Sequence, residues 1–277
     1  MMLNAIDAAS KVRDAIDVDQ FVPVDPYEAA RSLGVRVTFL SASMEGFYYN
    51  GNPPYILLSN QRPLPRLAFT CAHELGHHWF GHGSSLDELQ AGDRPHNEKP
   101  EEILANAFAA FFLMPSTGIR GAFSRRGITP QSATPLEVYT VACEYGVGYD
   151  TLISHLAYSL REIDEHQRKR LDRSSPQRIR WDLLAKDYPA LVRLDAMSMG
   201  EAYDIEIGGA ITLPPGCTAA GAAIAHVGST TDHELFVGAR RGVARIAGMI
   251  GDCEIRVQPA NYIGLAAHRS LEDPDDD

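Results

Sequence analysis

Residues 64–79 read LPRLAFTCAHELGHHW and carry the pattern of an amphipathic helix. The apolar side chains recur at helical spacing, at Leu64, Leu67, Ala68, Cys71, Ala72, Leu75 and Trp79. This spacing places them on one face of a helix. His73 and His77 lie about 180° and about 220° from Leu64 around the helix axis, because each residue advances by roughly 100°. The stretch therefore predicts a helix with a core-facing side and a pair of histidines on the opposite side.

His73, Glu74 and His77 form an H-E-x-x-H motif in this helix. Histidines four residues apart project from one face, so both imidazoles can bind one zinc ion at about 2.0–2.1 Å. Glu74 lies beside that face, where a carboxylate can serve as a general base. A histidine on an apolar helix is more often a core residue. A metal nevertheless explains both histidines and the glutamate between them.

A third ligand is expected from residues 102–114, which read EILANAFAAFFLM. Asn106 is the only polar residue after Glu102, so the segment predicts a helix that is buried nearly all round. A carboxylate that points into a core needs a partner or a metal. Glu102 is favoured over Glu101 because Glu102 shares its helix face with Asn106. The alternative is a solvated first turn in which both carboxylates offset the helix dipole. Asn106 is then expected to orient a histidine ligand.

Three other histidines, His78, His82 and His96, compete for the third ligand position. The metzincin pattern needs a histidine ten residues after the first one, and that position is Gly83. We therefore expect His78 and His82 to be structural or surface residues.

The composition is that of an ordinary folded protein. The chain has 277 residues, of which 45% are hydrophobic and 22% charged, and its formal net charge is −11. This charge argues against a general nucleic-acid-binding protein. No C-x-x-C pair occurs among the cysteines, which favours reduced thiols and a cytoplasmic protein. No signal segment is expected, because charged residues interrupt residues 1–20 and no apolar core is left there. No membrane association is expected, because the apolar run 103–114 is too short to span a bilayer.

The order of elements predicts an α+β fold with a small N-terminal sheet. A strand is expected at 35–40, and a hairpin around Asn50-Gly51 joins the flanking apolar runs. The expected helices are 3–16, a short one that Asp25 caps, 64–82, 100–114 and two within 134–160.

The second half of the chain changes character. Residues 166–180 contain six basic residues and only one acidic residue, Asp172, which favours a linker or an exposed helix. From about residue 195, short apolar stretches are separated by glycines, as in a small β-rich module. We therefore expect a mainly helical metallopeptidase domain at 1–165, a basic linker or exposed helix at 166–190, and a β-rich domain of unknown role with an acidic tail at 191–277.

Residues 66–78 and 102–115 together resemble the ImmA/IrrE family of metallopeptidases. The resemblance covers roughly residues 20–160. It implies a zincin-like domain with one Zn²⁺ per chain on His73, His77 and Glu102, although such a site also accepts other divalent ions. It also implies that Tyr48 donates a hydrogen bond to the reacting oxyanion, with a buried tyrosine of the hairpin as the alternative. Family members cleave, or are thought to cleave, helix-turn-helix repressors.

The function predicted is therefore a zinc endopeptidase that relieves repression in a stress response or in prophage or mobile-element control. Two other functions compete with it. Residues 141–152 have the order of a helix-turn-helix, but no basic residue follows before Arg161, which argues against specific DNA binding. A non-catalytic metal-binding regulator is the other alternative, although structural zinc normally has four protein ligands, usually including cysteine.

Overall fold

A computed structural model describes residues 2–83, 85–87, 99–248 and 251–271. His96 and the acidic tail at 272–277, both considered above, lie outside the described residues.

The chain divides into two compact units, and each unit is made of two separate segments of the sequence. The first unit comprises Met1–Pro115 and Asn261–Arg269, and the second comprises Ser116–Ala260 and Ser270–Asp277. These units differ from the domains expected from composition, because residues 261–269 group with the N-terminal part and not with the β-rich residues before them. The boundaries near residues 165 and 190 stay a prediction.

Helices and strands form an α+β protein, as the sequence predicts. The helices are α1 (Met2–Ala15), α2 (Pro26–Ser32), α3 (Leu64–Trp79), α4 (Pro100–Leu113), α5 (Ser116–Arg125), α6 (Pro135–Glu144), α7 (Tyr149–Ser154), α8 (Glu165–Leu171) and α9 (Pro176–Leu184). The strands are β1 (Arg36–Leu40), β2 (Gly46–Tyr49), β3 (Tyr55–Ser59), β4 (Ser85–Asp87), β5 (Leu191–Arg193), β6 (Ala202–Glu206), β7 (Ala210–Leu213), β8 (Thr218–Ala220), β9 (Ile224–Ser229), β10 (Glu234–Gly238), β11 (Gly242–Ala247), β12 (Cys253–Gln258) and β13 (Gly264–Leu265). A π-helical turn at His155–Ser159 continues α7, and a 3₁₀ turn at Ala266–His268 follows β13.

The first unit contains a five-stranded sheet in the order β13-β1-β3-β2-β4. The predicted hairpin is present, since β2 and β3 pair antiparallel with Tyr48 opposite Ile56. β1 runs parallel to β3. Alternate residues of these strands, including Phe39, Tyr48 and Ile56, are buried, and α3 contacts β2 and β3. Helix α3 therefore packs against this sheet.

Helices α3 and α4 pack closely because of Gly76. A Cβ atom built on Gly76 would lie 3.0 Å from the ring of Phe108 and 3.3 Å from the Cα of Ala105. A side chain at this position would push α4 away from α3. The glycine therefore keeps α4 close to the helical turn that ends at His77.

The C-terminal segment completes the first unit. β13 pairs antiparallel with β1, with Leu265 opposite Thr38. The buried Arg269 donates a 2.7 Å hydrogen bond to Asp25 Oδ2, while Asp25 Oδ1 caps α2 by accepting from the Tyr27 N–H. The edge of β1 is thus covered by a strand from the far end of the chain.

A buried ionic network holds the helical and β-rich parts of the second unit together. Glu144 on α6 accepts a 2.8 Å hydrogen bond from Arg125 and forms an ion pair with Arg126, also at 2.8 Å. Arg126 also binds Asp195, at 2.7 Å, in the segment before β6. Burial raises the pKa of Glu144, and the two arginine charges oppose that rise.

The β-rich part of the second unit contains two four-stranded sheets. Their orders are β5-β7-β10-β9 and β6-β12-β11-β8. Apolar residues from both sheets, such as Ile211, Phe236 and Ile255, share one buried cluster. These residues therefore have a core of their own.

The stretch Pro100–Arg125 is long and apolar enough to cross a membrane by length and composition alone. An apolar segment of 18 residues within it is 56% buried inside the protein, as is typical of a core helix. Such a stretch is weak evidence for a membrane span.

Candidate metal centre

Helix α3 places both histidines of the H-E-x-x-H motif against the protein interior. His73 is 4% exposed and His77 is 1% exposed. Their Nε2 atoms are 3.0 Å apart. Two ring nitrogens at this distance can bind the same ion.

Helix α4 brings Glu102 to the histidines from its first turn. Glu102 Oε2 lies 3.2 Å from His73 Nε2, and Glu102 Oε1 lies 3.5 Å from His77 Nε2. Glu101, the alternative considered from sequence, is exposed and is not part of this group among the described residues. The arrangement therefore brings together the three residues that the sequence favours as metal ligands.

The donor set fits a zinc ion. The ligand atoms of His73, His77 and Glu102 all lie within 4.8 Å of one another. Tetrahedral donors about 2.0–2.1 Å from zinc lie about 3.4 Å apart, and the observed separations of 3.0, 3.2 and 3.5 Å bracket that value. Two imidazoles and a carboxylate are also the ligands of one common class of zinc hydrolase sites.

Asn106 contacts the first histidine. Its Oδ1 atom lies 3.1 Å from His73 Nδ1, one helical turn after Glu102 on α4. An amide oxygen accepts from an N–H, so Nδ1 of His73 carries the proton and Nε2 has its lone pair available for a metal.

His82 makes the corresponding contact to the second histidine, which sequence reasoning missed. His82 Nδ1 lies 2.9 Å from His77 Nδ1. The chain turns back after α3 at Gly81, whose φ is +66°, and the His82 N–H bonds to the His77 carbonyl at 3.0 Å. A glycine followed by a histidine just past the helix end was the available signal.

Glu74 is fully buried on α3, beside β2. A Cβ atom built on Gly46, the first residue of β2, would lie 2.9 Å from Glu74 Oε1. The carboxylate is therefore close to the backbone of this strand.

The comparisons with known proteins agree with this geometry. Residues 30–156, just under half of the chain, match the family model of the IrrE N-terminal-like domain, which is a peptidase family. These residues form an IrrE N-terminal-like domain. The resemblance to the ImmA/IrrE family is thereby confirmed, and all the residues proposed for the site lie within this IrrE-like domain. No curated protein matches the chain.

Within the IrrE-like domain, Tyr48 is bound to His78. The Tyr48 hydroxyl lies 2.9 Å from His78 Nδ1, and the tyrosine is 1% exposed. Burial raises the pKa of Tyr48 and lowers the pKa of His78. Both shifts favour the uncharged forms of the two groups, and the hydroxyl that is expected to serve an oxyanion is in contact with His78.

The basic run that sequence analysis singled out is largely engaged within the protein. Arg168 forms ion pairs with Glu165 on α8 and with Asp172, the residue that follows α8. Arg178 pairs with Asp182 at 2.9 Å on α9. Arg170 and Arg180 donate to backbone carbonyls. These basic side chains therefore have partners within the protein, and the run is less suited to binding phosphate groups.

Proposed function

We propose that this chain is a zinc-dependent endopeptidase that cleaves a helix-turn-helix-type repressor and so relieves repression. The observation that carries the proposal is the convergence of His73, His77 and Glu102 within a domain of a peptidase family. A zincin-like fold for residues 1–165 and a cytoplasmic location belong to the same proposal. The free state of all four cysteines supports that location.

In this proposal His73, His77 and Glu102 hold the ion. Zinc on three protein ligands keeps an open position, lowers the pKa of water to near 7 and polarises a carbonyl group. The contacts of Asn106 and His82 to the outer ring nitrogens fix both imidazoles in the required orientation. The site is therefore supported from α4 and from the turn after α3.

Glu74 is proposed as the general base. It accepts a proton from the attacking water and passes it to the amine that leaves when the peptide bond breaks. Because the side chain is fully buried, few rotamers are open to it, and the carboxylate stays in one place. Tyr48 is proposed to donate to the reacting oxyanion, which requires its hydroxyl to exchange His78 for the substrate.

The proposal is tested by separating metal binding from catalysis. Glu74→Gln keeps the shape of the side chain and removes the base, so zinc content should stay near one ion per chain. Cleavage of purified repressors encoded in the same gene neighbourhood should fall by about 10²–10⁴-fold. A chelator should abolish cleavage by the unchanged protein, and added zinc should restore it.

Two results would contradict the proposal. One is undiminished cleavage by the Glu74→Gln variant. The other is full relief of repression in cells by that variant, which would assign regulation to binding alone. Glu101→Gln, an exposed carboxylate next to the ligand Glu102, serves as the matched control and should retain both zinc and cleavage.

A further inference from the structure

Gly46 lies against two side chains of the helix that carries the site. A Cβ atom built on Gly46 would lie 2.5 Å from Thr70 Cγ2 and 2.9 Å from Glu74 Oε1. Both distances are below the 3.0 Å that real Cβ contacts keep. A side chain at this position would therefore compete with the Glu74 carboxylate for the same space.

The backbone at Gly46 does not itself require glycine. The residue lies in strand β2, opposite Leu58 of β3 and Asp87 of β4, and its φ is outside the left-handed region. An alanine can adopt this conformation without backbone strain. Space beside α3, and not chain flexibility, is thus what a substitution at Gly46 would change.

Strand β2 is fixed where it meets α3. Arg66 in the first turn of α3 donates a 3.0 Å hydrogen bond from Nε to Glu45 Oε2. The Glu45 carbonyl accepts from the Ser59 N–H at 3.0 Å, which ties the strand to β3. Because the strand and the helix are both anchored, the displacement caused by a new side chain falls on Thr70 and Glu74.

We propose that Gly46 is a positioning residue: its missing side chain determines where the carboxylate of Glu74 lies. This inference rests on the proposed function, in which Glu74 is the general base. A misplacement of about 1 Å can lower a catalytic rate roughly 10²-fold. Gly46 therefore acts on catalysis through Glu74, whose carboxylate is among the atoms nearest to its Cβ position.

The contact is tested first by stability, with no reference to activity. Urea denaturation is measured for Gly46→Ala, for Glu74→Ala and for the double variant, all zinc-free. Glu74→Ala removes the part of the crowding that comes from Glu74, so the double variant should be more stable than the sum of the single effects predicts. Additive effects would overturn the inference. Gly228→Ala is the matched control, since Gly228 also lies in a strand without positive φ but has no atom within 4 Å of its added Cβ; it should show no coupling to Glu74→Ala.

Thr70→Ser keeps the test decisive if Gly46→Ala alone does not fold. The change removes Thr70 Cγ2, the nearest contact, and leaves Glu74 Oε1 as the remaining contact below 3.0 Å. The Gly46→Ala/Thr70→Ser variant should bind zinc as the unchanged protein does. Its kcat for repressor cleavage should be about 10–100-fold lower with KM unchanged.

A second double-mutant cycle, measured on the cleavage rate, tests whether this loss of activity acts through Glu74. Adding Glu74→Gln to the Gly46→Ala/Thr70→Ser variant should give the rate of Glu74→Gln alone, because the displaced base is already absent. A further fall of the same size as in the wild-type background would overturn the inference, and so would full activity of Gly46→Ala/Thr70→Ser. If the unchanged protein cleaves no repressor, the proposed function fails, while the stability cycle still tests the contact.

Discussion

Replacing His82 by alanine is expected to weaken zinc binding although His82 is not proposed as a ligand. His82 Nδ1 lies 2.9 Å from His77 Nδ1, while His77 Nε2 faces the other two ligands. His77 is 1% exposed, so bulk water cannot readily take over this contact. Losing a hydrogen bond to a buried group costs about 1–3 kcal/mol. Since that loss falls on the orientation in which His77 binds metal, the zinc Kd should rise roughly 5–150-fold.

The assay is a competition titration. Zinc-free protein is titrated with zinc in the presence of a chromophoric chelator of known affinity, and the Kd of the variant is compared with that of the unchanged protein. Urea denaturation of the zinc-free variant shows whether the fold is preserved. His166→Ala, an exposed histidine on α8, corrects for adventitious binding by histidine and should leave the Kd unchanged.

The reasoning is refuted if His82→Ala binds zinc within twofold of the unchanged protein while its zinc-free stability is also unchanged. The contact seen in the structure would then have no bearing on the metal. A lower Kd for the variant would refute it as well, because the contact would then oppose the ligating orientation.

Three further predictions concern the third ligand, the acid stability and the exposed loop between α8 and α9. Glu102→Gln should strip most of the zinc and Glu101→Gln should not, as measured by metal analysis after dialysis; the reverse would mean that the ligand is one residue away. Although burial opposes it, the hydrogen bond and charge of Arg126 hold the pKa of Asp195 below its usual value. The stability gained is therefore present above the unfolded pKa of about 4 and lost as the pH falls through the folded pKa, so Asp195→Asn should flatten the pH dependence of urea unfolding on the acid side of about pH 5. Trypsin should cut first between residues 162 and 180, where the chain between α8 and α9 is exposed, and mass spectrometry of early fragments checks this.

Local patterns made much of the first unit predictable. The amphipathic stripe on 64–79, the cap at Asp25 and the turn at Asn50-Gly51 each fix a short element through neighbours in sequence. The helical spacing of His73 and His77 and the lone polar position at Asn106 were equally local, so the site could be assembled from two helices.

Features that depend on residues far apart in the chain could not be predicted from the sequence. Two residues of β13 carry no strand pattern of their own, and their pairing with β1 joins segments more than 200 residues apart. The spacing of His82 from His73 matches no ligand pattern and gives no sign of its partner, which is the ring of His77. The space that Gly46 leaves beside Glu74 becomes visible only when strand and helix are packed together.

The covering of β1 by β13 has a consequence for how the protein is made. The ribosome adds β3, whose last residue is Ser59, long before it reaches Gly264. At about 5–20 residues per second, roughly 10–40 s pass between the synthesis of β3 and that of β13, and the edge of β1 has no β13 to pair with during that time. During that interval the nascent chain exposes a strand edge that can pair with another chain. Fragments produced by early termination would keep that edge exposed permanently, even when they contain His73, His77 and Glu102.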